Sequence, residues 1–218
     1  MADARSGLGS ISQLYQSAVW MRKHLPRSLT LFAALLALQV GVPAFAQQSA
    51  LQLDPARTAV HFTLKTSLHT VHGTFQLKSG KVSFDPQTKK VSGLLVADAT
   101  SGESGNSGRD SKMHKEILES QKYPEITFAP LELEGDVPPQ GDSQVQVKGT
   151  FRIHGQDHVI VIPVAIHSAG AELTLDTDFS IPYLSWGLKN PSTFILRASD
   201  MVQLSIHASG HWAGDPAN

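Results

Sequence analysis

The chain has 218 residues, 18 Lys and Arg against 19 Asp and Glu, a formal net charge of −1 and no cysteine. Near-neutral charge argues against a nucleic-acid partner, which would need a clustered basic face. The lack of cysteine excludes disulfides, thiolate metal ligands and cysteine nucleophiles. A hydrophobic content of 41% with 17 Gly is ordinary for a soluble globular protein.

Residues 1–46 read as a targeting segment. Arg22, Lys23 and Arg27 form a basic region ahead of the uncharged apolar run Leu29–Val42, and Ala44-Phe45-Ala46 fits the small-x-small rule for cleavage after Ala46. The run is shorter than the ~18–20 apolar residues that span a bilayer. The alternative is an uncleaved N-terminal anchor. Met21 opens a better signal peptide than Met1, so initiation at either remains open. The mature chain is then 47–218, a single domain by length, expected in the periplasm or secreted.

From residue 60 the pattern is alternation. Val60, Phe62 and Leu64 alternate with His61 and Thr63; Val71, Gly73, Phe75 and Leu77 alternate with His72, Thr74 and Gln76. Val82 and Phe84 precede the turn signal Asp85-Pro86, and Val91, Gly93, Leu95 and Ala97 follow it. Val145 to Ile153, Leu173 to Phe179 and Val202 to Ala208 repeat the period of two. Such alternation marks half-buried antiparallel strands, and their even spacing indicates a sandwich or a barrel, an all-β fold.

Three stretches depart from this. In Ile126–Leu133 the apolar phase flips at Pro130, which predicts a bulge or bend. Val159–Ile166 is apolar on both faces, as in a strand covered on its outside or a subunit contact such as a homodimer, and Pro163 predicts an unpaired edge there. The third is Arg109–Phe128. After the Gly/Ser-rich Ser101–Gly108, Arg109 and Asp110 open about two helical turns to about residue 119. Met113 and Ile117 share one face, as do His114 and Leu118, and Pro124 stops the helix. Lys112/Glu116 and Lys115/Glu119 have i, i+4 spacing. A helix placed between strands must cover something apolar, such as the end of a barrel.

Arg109-Asp110, the short helix, Lys122-Tyr123-Pro124 and Ile126-Thr127-Phe128, followed by a strand ending in His154-Gly155 and by Phe179, Trp186-Gly187 and Val202–Ile206, resemble the YceI-like family of polyisoprenoid-binding proteins. The likeness covers roughly Leu51 to Gly210. The commoner family form places a histidine two positions after the aspartate; here Lys112 stands there and His114 lies two residues further on. The resemblance implies an extended, lipocalin-like antiparallel β-barrel, a secreted or periplasmic location, and a long isoprenoid or similar amphiphile held in the barrel, with no catalysis established for the family.

A barrel of about eight strands is just wide enough for one slender ligand. Its candidate lining is Phe62, Leu64, Val71, Phe75, Val82, Phe84, Leu95, Phe128, Phe151, Leu173, Leu175 and Phe179. These residues could equally fill a dry core. Arg109, with Asp110 and His114, is the candidate for meeting a polar head group at the mouth, since a guanidinium fork suits phosphate; the alternative is that Arg109 and Asp110 lock a turn. The ligand classes are a polyisoprenoid, a quinone or a fatty-acid-like lipid, with no cofactor. Other readings are an enzyme acting on a small apolar substrate in the barrel and a filled-core interaction module.

The ten histidines, with His69 and His72 the nearest pair, include no HExxH. Gly108 leads into Arg109, not into the Lys-Ser/Thr of a phosphate-binding loop. Ser104 does not sit in a G-x-S-x-G elbow.

Overall fold

The structure, a computed structural model, describes residues 49–213. The targeting segment expected over residues 1–46 lies outside the described residues.

The strands are β1 (Ser49–Leu53), β2 (Ala59–Lys65), β3 (Thr70–Asp85), β4 (Lys90–Glu103), β5 (Glu125–Glu134), β6 (Gln140–Ile153), β7 (Gln156–Ala169), β8 (Glu172–Ile181) and β9 (Val202–Ala213). All pairings are antiparallel. The sheet runs β1-β3-β2-β9-β8-β7-β6-β5-β4, and β4 pairs back onto β3, so it closes on itself. β1 and β2 share one place in the ring. β1 lies between Lys81–Phe84 of β3 and Gly210–Ala213 of β9, whereas β2 lies between Thr70–Phe75 of β3 and Gln203–His207 of β9. The break between them is the single 3-10 turn Pro55–Arg57, whose first N–H groups are capped by Asp54 (Ala56 N to Asp54 Oδ1, 2.9 Å). The result is an eight-position barrel, which leaves no free sheet edge except where a ladder is interrupted.

The two ends differ. At the lower end the connections are short: β3–β4, β5–β6 and β7–β8 each turn within a few residues. At the upper end lie the tight β2–β3 and β6–β7 hairpin turns, the segment between β4 and β5, and the long connection between β8 and β9. The segment after β4 holds α1 (Ser107–Lys112), capped by Asn106 Oδ1 on the Arg109 N–H (2.9 Å), and runs on without a break into a π-helical turn, Met113–Ile117. The helix expected from Arg109 therefore begins earlier, at its asparagine cap, and widens halfway. That widening redirects the exposed charges. Lys112 donates to the Pro191 carbonyl (3.1 Å), Glu116 pairs with Lys189 (3.2 Å), and Glu119 pairs with Lys122 (3.8 Å) and His154 (3.4 Å). The i, i+4 pairs Lys112/Glu116 and Lys115/Glu119 do not form, because side chains four apart no longer stack in a π turn.

The irregular strands have local causes. β5 has a register shift between Pro130 and Glu132, where Pro130 lacks a ladder donor. Pro130 turns inward and Leu131 is left half-exposed, so the second half of the strand faces inward through Leu133. β3 shifts register at Thr74/Gln76 and again at Leu77/Ser79; the second shift moves its inward set from Val71, Phe75 and Leu77 to Val82 and Phe84. In β7, Ile162, Val164 and Ile166 are buried while Val159 and Val161 are 68% and 58% exposed. The β7–β8 ladder begins only at Ala165–Asp176. Ahead of it the Pro163 carbonyl accepts from the Thr177 hydroxyl (2.6 Å). The outside of Val159–Ile166 is thus uncovered and its edge toward β8 is open, as the proline predicted.

Candidate functional site

The inward side chains form two apolar clusters. The lower one is built on Leu51, Leu53, Phe84, Leu133, Val145, Ile166 and Leu173, the upper one on Phe62, Val71, Phe151, Ile153, Ile181 and Leu204. Phe128 and Phe179 pack against both. The clusters do not fill the barrel. They surround a continuous cavity of about 630 Å³.

Phe62, Leu64, Val71, Phe75 and Phe151 line its upper part, Phe128 and Phe179 its middle, and Val82, Phe84, Leu95, Leu173 and Leu175 its lower part. Every side chain read as inward from the alternation therefore meets the cavity.

The large rings leave room because the wall behind several of them is glycine. A Cβ at Gly73 would lie 2.3 Å from the Phe62 ring, one at Gly102 would lie 2.5 Å from Phe75, and one at Gly149 would lie 2.5 Å from Phe128. Each ring thus sits against the backbone of a neighbouring strand. Gly73 is the direct cross-strand partner of Phe62. Phe62 and Phe75 also touch each other, with centroids 5.4 Å apart.

Polar lining is confined mainly to the upper end, where Thr66, His69, Ser104, Arg109, Lys112 and Thr193 meet the cavity. Its charged lining is cationic; among the described residues no carboxylate lines it. Arg109 is tied down: its Nε donates to the Ser104 hydroxyl (2.7 Å) and its Nη2 to the Ser104 carbonyl (2.8 Å). Asp110 accepts from the Ser104 N–H (2.9 Å) and from the Ser104 hydroxyl. The Arg-Asp pair thus locks the turn between β4 and α1, and Arg109 still presents its edge to the mouth. Asp110 does not line the cavity. His114 does not either: its Nε2 faces the Gly102 carbonyl (2.8 Å) and its Nδ1 the Ser120 hydroxyl (3.0 Å), so both ring nitrogens hold the helical segment to the barrel.

Several lining residues gave no usable sequence signal. Leu51, Leu53 and Trp212 come from β1 and the end of β9, and Leu51-Gln52-Leu53 is too short to read as a strand. Tyr183, Leu188, Pro191, Leu196 and Ala198 come from the irregular β8–β9 connection, which has no period. Burial pushes the Tyr183 phenol up to about 12, with the Asp200 charge adding to it, while its hydroxyl donates to the Ser199 carbonyl (2.8 Å). Trp186 stays outside the bore, stacked on His158 (centroids 4.0 Å apart) and packed on Phe151. His72 bonds Thr63 on the outer face, and no metal-holding cluster occurs among the described residues.

These features define the class: a closed antiparallel barrel with an apolar bore, opening beside a short helix and a cationic rim. A family model for the YceI-like domain matches residues 51–209, and the chain belongs to that family. A UPF0312 protein of Vibrio cholerae is 26% identical over 199 residues, covering 83% of this chain and 97% of its own. Among solved structures the fold is similar to Burkholderia cenocepacia BcnA (TM-score 0.61, 23% identity, 72% of this chain and 98% of that one). It is also similar to a polyisoprenoid binding domain from Saccharophagus degradans implicated in plant cell wall breakdown (TM-score 0.57, 16% identity, 76% and 100%). A Campylobacter jejuni YceI protein matches with TM-score 0.54 and 19% identity, over 68% and 88%.

Proposed function

We propose that this protein is an exported lipid carrier or sequestering protein, which holds a polyisoprenoid or a similar long-chain amphiphile in the barrel and does no chemistry on it. One observation carries the reading: the continuous apolar cavity of about 630 Å³ running from Leu51 and Trp212 to Thr193 and Arg109. That volume is within the range of small-molecule sites, roughly 300–1,000 Å³. Strands at ~3.3 Å per residue, tilted by about 40°, give such a barrel a bore on the order of 30 Å long, so a site of this volume is slender. It suits a single extended chain better than a compact substrate.

The energetics need no motif. A tail that loses several hundred Å² of water-exposed apolar surface gains on the order of 10 kcal/mol before the costs of binding. Specificity for length would come from the bore, and preference for a polar head from Arg109, Lys112 and His69 at the mouth. Export is part of the same reading and rests on Leu29–Val42 and the Ala44-Phe45-Ala46 site.

The test is native mass spectrometry and lipid extraction of the protein purified from its own host. A bound long-chain lipid is expected. Phe75→Asp and Phe151→Asp should abolish its retention, because a carboxylate in that lumen has no partner. Circular dichroism must show that both variants keep the strand fold. Lipid retained by both folded variants would sink the tunnel assignment.

A further inference from the structure

At the upper rim two segments cross. The connection before β9 forms a tight turn, Thr193–Leu196, closed by Thr193 N–H to the Leu196 carbonyl (2.8 Å) and Leu196 N–H to Thr193 Oγ1 (3.1 Å). Its two central residues are Phe194 and Ile195, which are 101% and 76% exposed. Such positions are ordinarily occupied by Gly, Pro, Asn, Asp or Ser. The turn is held against the β2–β3 hairpin by Ser67 N–H to the Arg197 carbonyl (2.8 Å), Arg197 N–H to Ser67 Oγ (3.1 Å) and Ser199 N–H to the Lys65 carbonyl (2.9 Å). Leu68, at the hairpin apex beside it, is 66% exposed. None of these three side chains joins either apolar cluster.

Basic and acidic side chains both border this rim, but the charged side chains that line the opening itself, Arg109 and Lys112, are basic. Lys65 and Arg197 lie on the crossing segments, and Arg109 and Lys112 on α1; none of them is in an ion pair among the described residues. The carboxylates on the adjoining segments are Glu103, Asp110, Glu116 and Asp200; Asp110 is held by Ser104, and Glu116 by Lys189. The same segments frame the opening, since Thr66, His69, Thr193, Leu196 and Ala198 line the cavity.

We propose that this rim docks on an anionic lipid bilayer, with Phe194, Ile195 and Leu68 inserted below the head groups and the barrel mouth held against the surface. An apolar tip beside a cationic opening is the pattern of an interfacial anchor. The chemistry is complementary to a bilayer on both counts: the tip matches the acyl boundary and the cations match anionic head groups. Each basic residue near such a surface strengthens binding about fivefold. The inference extends the carrier reading, since cargo could then pass between bilayer and bore without crossing water.

The test is flotation of the purified protein with phosphatidylcholine vesicles, with and without phosphatidylglycerol, for wild type and Phe194→Ser/Ile195→Ser. Both substituted side chains are solvent-exposed and outside the cavity lining, so the fold and lipid content should persist; Leu68→Ser is the second variant if the double one misfolds. Wild type should float with the mixed vesicles, less so at high salt, and the double variant should bind about tenfold or more weakly. No flotation of wild type with either vesicle, or equal flotation of the variants, overturns the proposal. A dimer that the substitutions abolish, without vesicle binding, assigns the patch to a second copy and also overturns it. Native mass spectra separate the two readings. Lipid present without flotation removes the docking alone, whereas flotation that depends on the tip in a protein devoid of lipid removes the carrier reading alone.

Discussion

Tyr123 stands on the turn between β6 and β7. Its ring lies 4.5 Å from that of His154, and a Cβ at Gly155 would lie 2.6 Å from its Cε1. Both turn residues have positive φ, +52° at His154 and +75° at Gly155, as a two-residue hairpin of this hand requires. Two of the marks by which the chain resembles its family, Lys122-Tyr123-Pro124 and His154-Gly155, are therefore one contact. The sequence displays them as separate signs about thirty residues apart, because nothing local tells that they meet. The same limit applied to Tyr183, whose loop has no period. Its raised phenol has a testable consequence. The unfolded chain releases this proton near pH 10.0 and the folded chain only near 12, so the contribution is complete below pH 10.0 and is lost as pH rises toward 12. Tyr183→Phe should cost about 1 kcal/mol at neutral pH through the lost bond to Ser199. It should also flatten the alkaline decline relative to wild type, read as urea midpoints across that range.

At the scale of the element, alternation predicted the inward face of most strands, since a period of two follows from the pleat alone. The exceptions each have a cause that crosses between strands. β3 changes its inward phase through the register shift at Leu77/Ser79, set by pairing with β4, and β1 is too short to be read without its neighbours. The π turn after α1 is likewise invisible to a pattern based on 3.6 residues. Glycine within strands was legible as a position on the inward face but not as a seat for a ring. Gly149→Ala should bring its Cβ against Phe128 and the Ala129 carbonyl. The expected loss is about 1–3 kcal/mol of stability, with less lipid retained in native mass spectra because Phe128 must swing into the bore. Unchanged lipid content in a folded Gly149→Ala protein would show that the ring's seat does not set the capacity.

For the whole molecule, the all-β barrel with one short helix was accessible from strand count, turn signals and the family likeness. An open interior was not, because inward apolar residues read the same in a packed core and in a lined tube. The continuous cavity, kept open where rings seat against glycine, distinguishes the two. A ligand that binds the folded barrel alone stabilises it by mass action. Lipid at about a hundred times its dissociation constant should add about 2.7 kcal/mol. Delipidated protein should therefore melt measurably lower than protein given back its extract, in scanning calorimetry. Equal melting temperatures would argue against occupancy of the bore.

The rings of Phe62, Phe75 and Phe128 rest on backbone where other proteins would have side chains. The gauge of the channel therefore depends on how closely the main chain lets each ring approach it. A methyl group added at Gly102, which would meet the Phe75 ring and the Met113 methyl first, would press that ring toward the bore and narrow the gauge there, whereas at Gly73 and Gly149 it would also strike the Glu103 and Ala129 carbonyls.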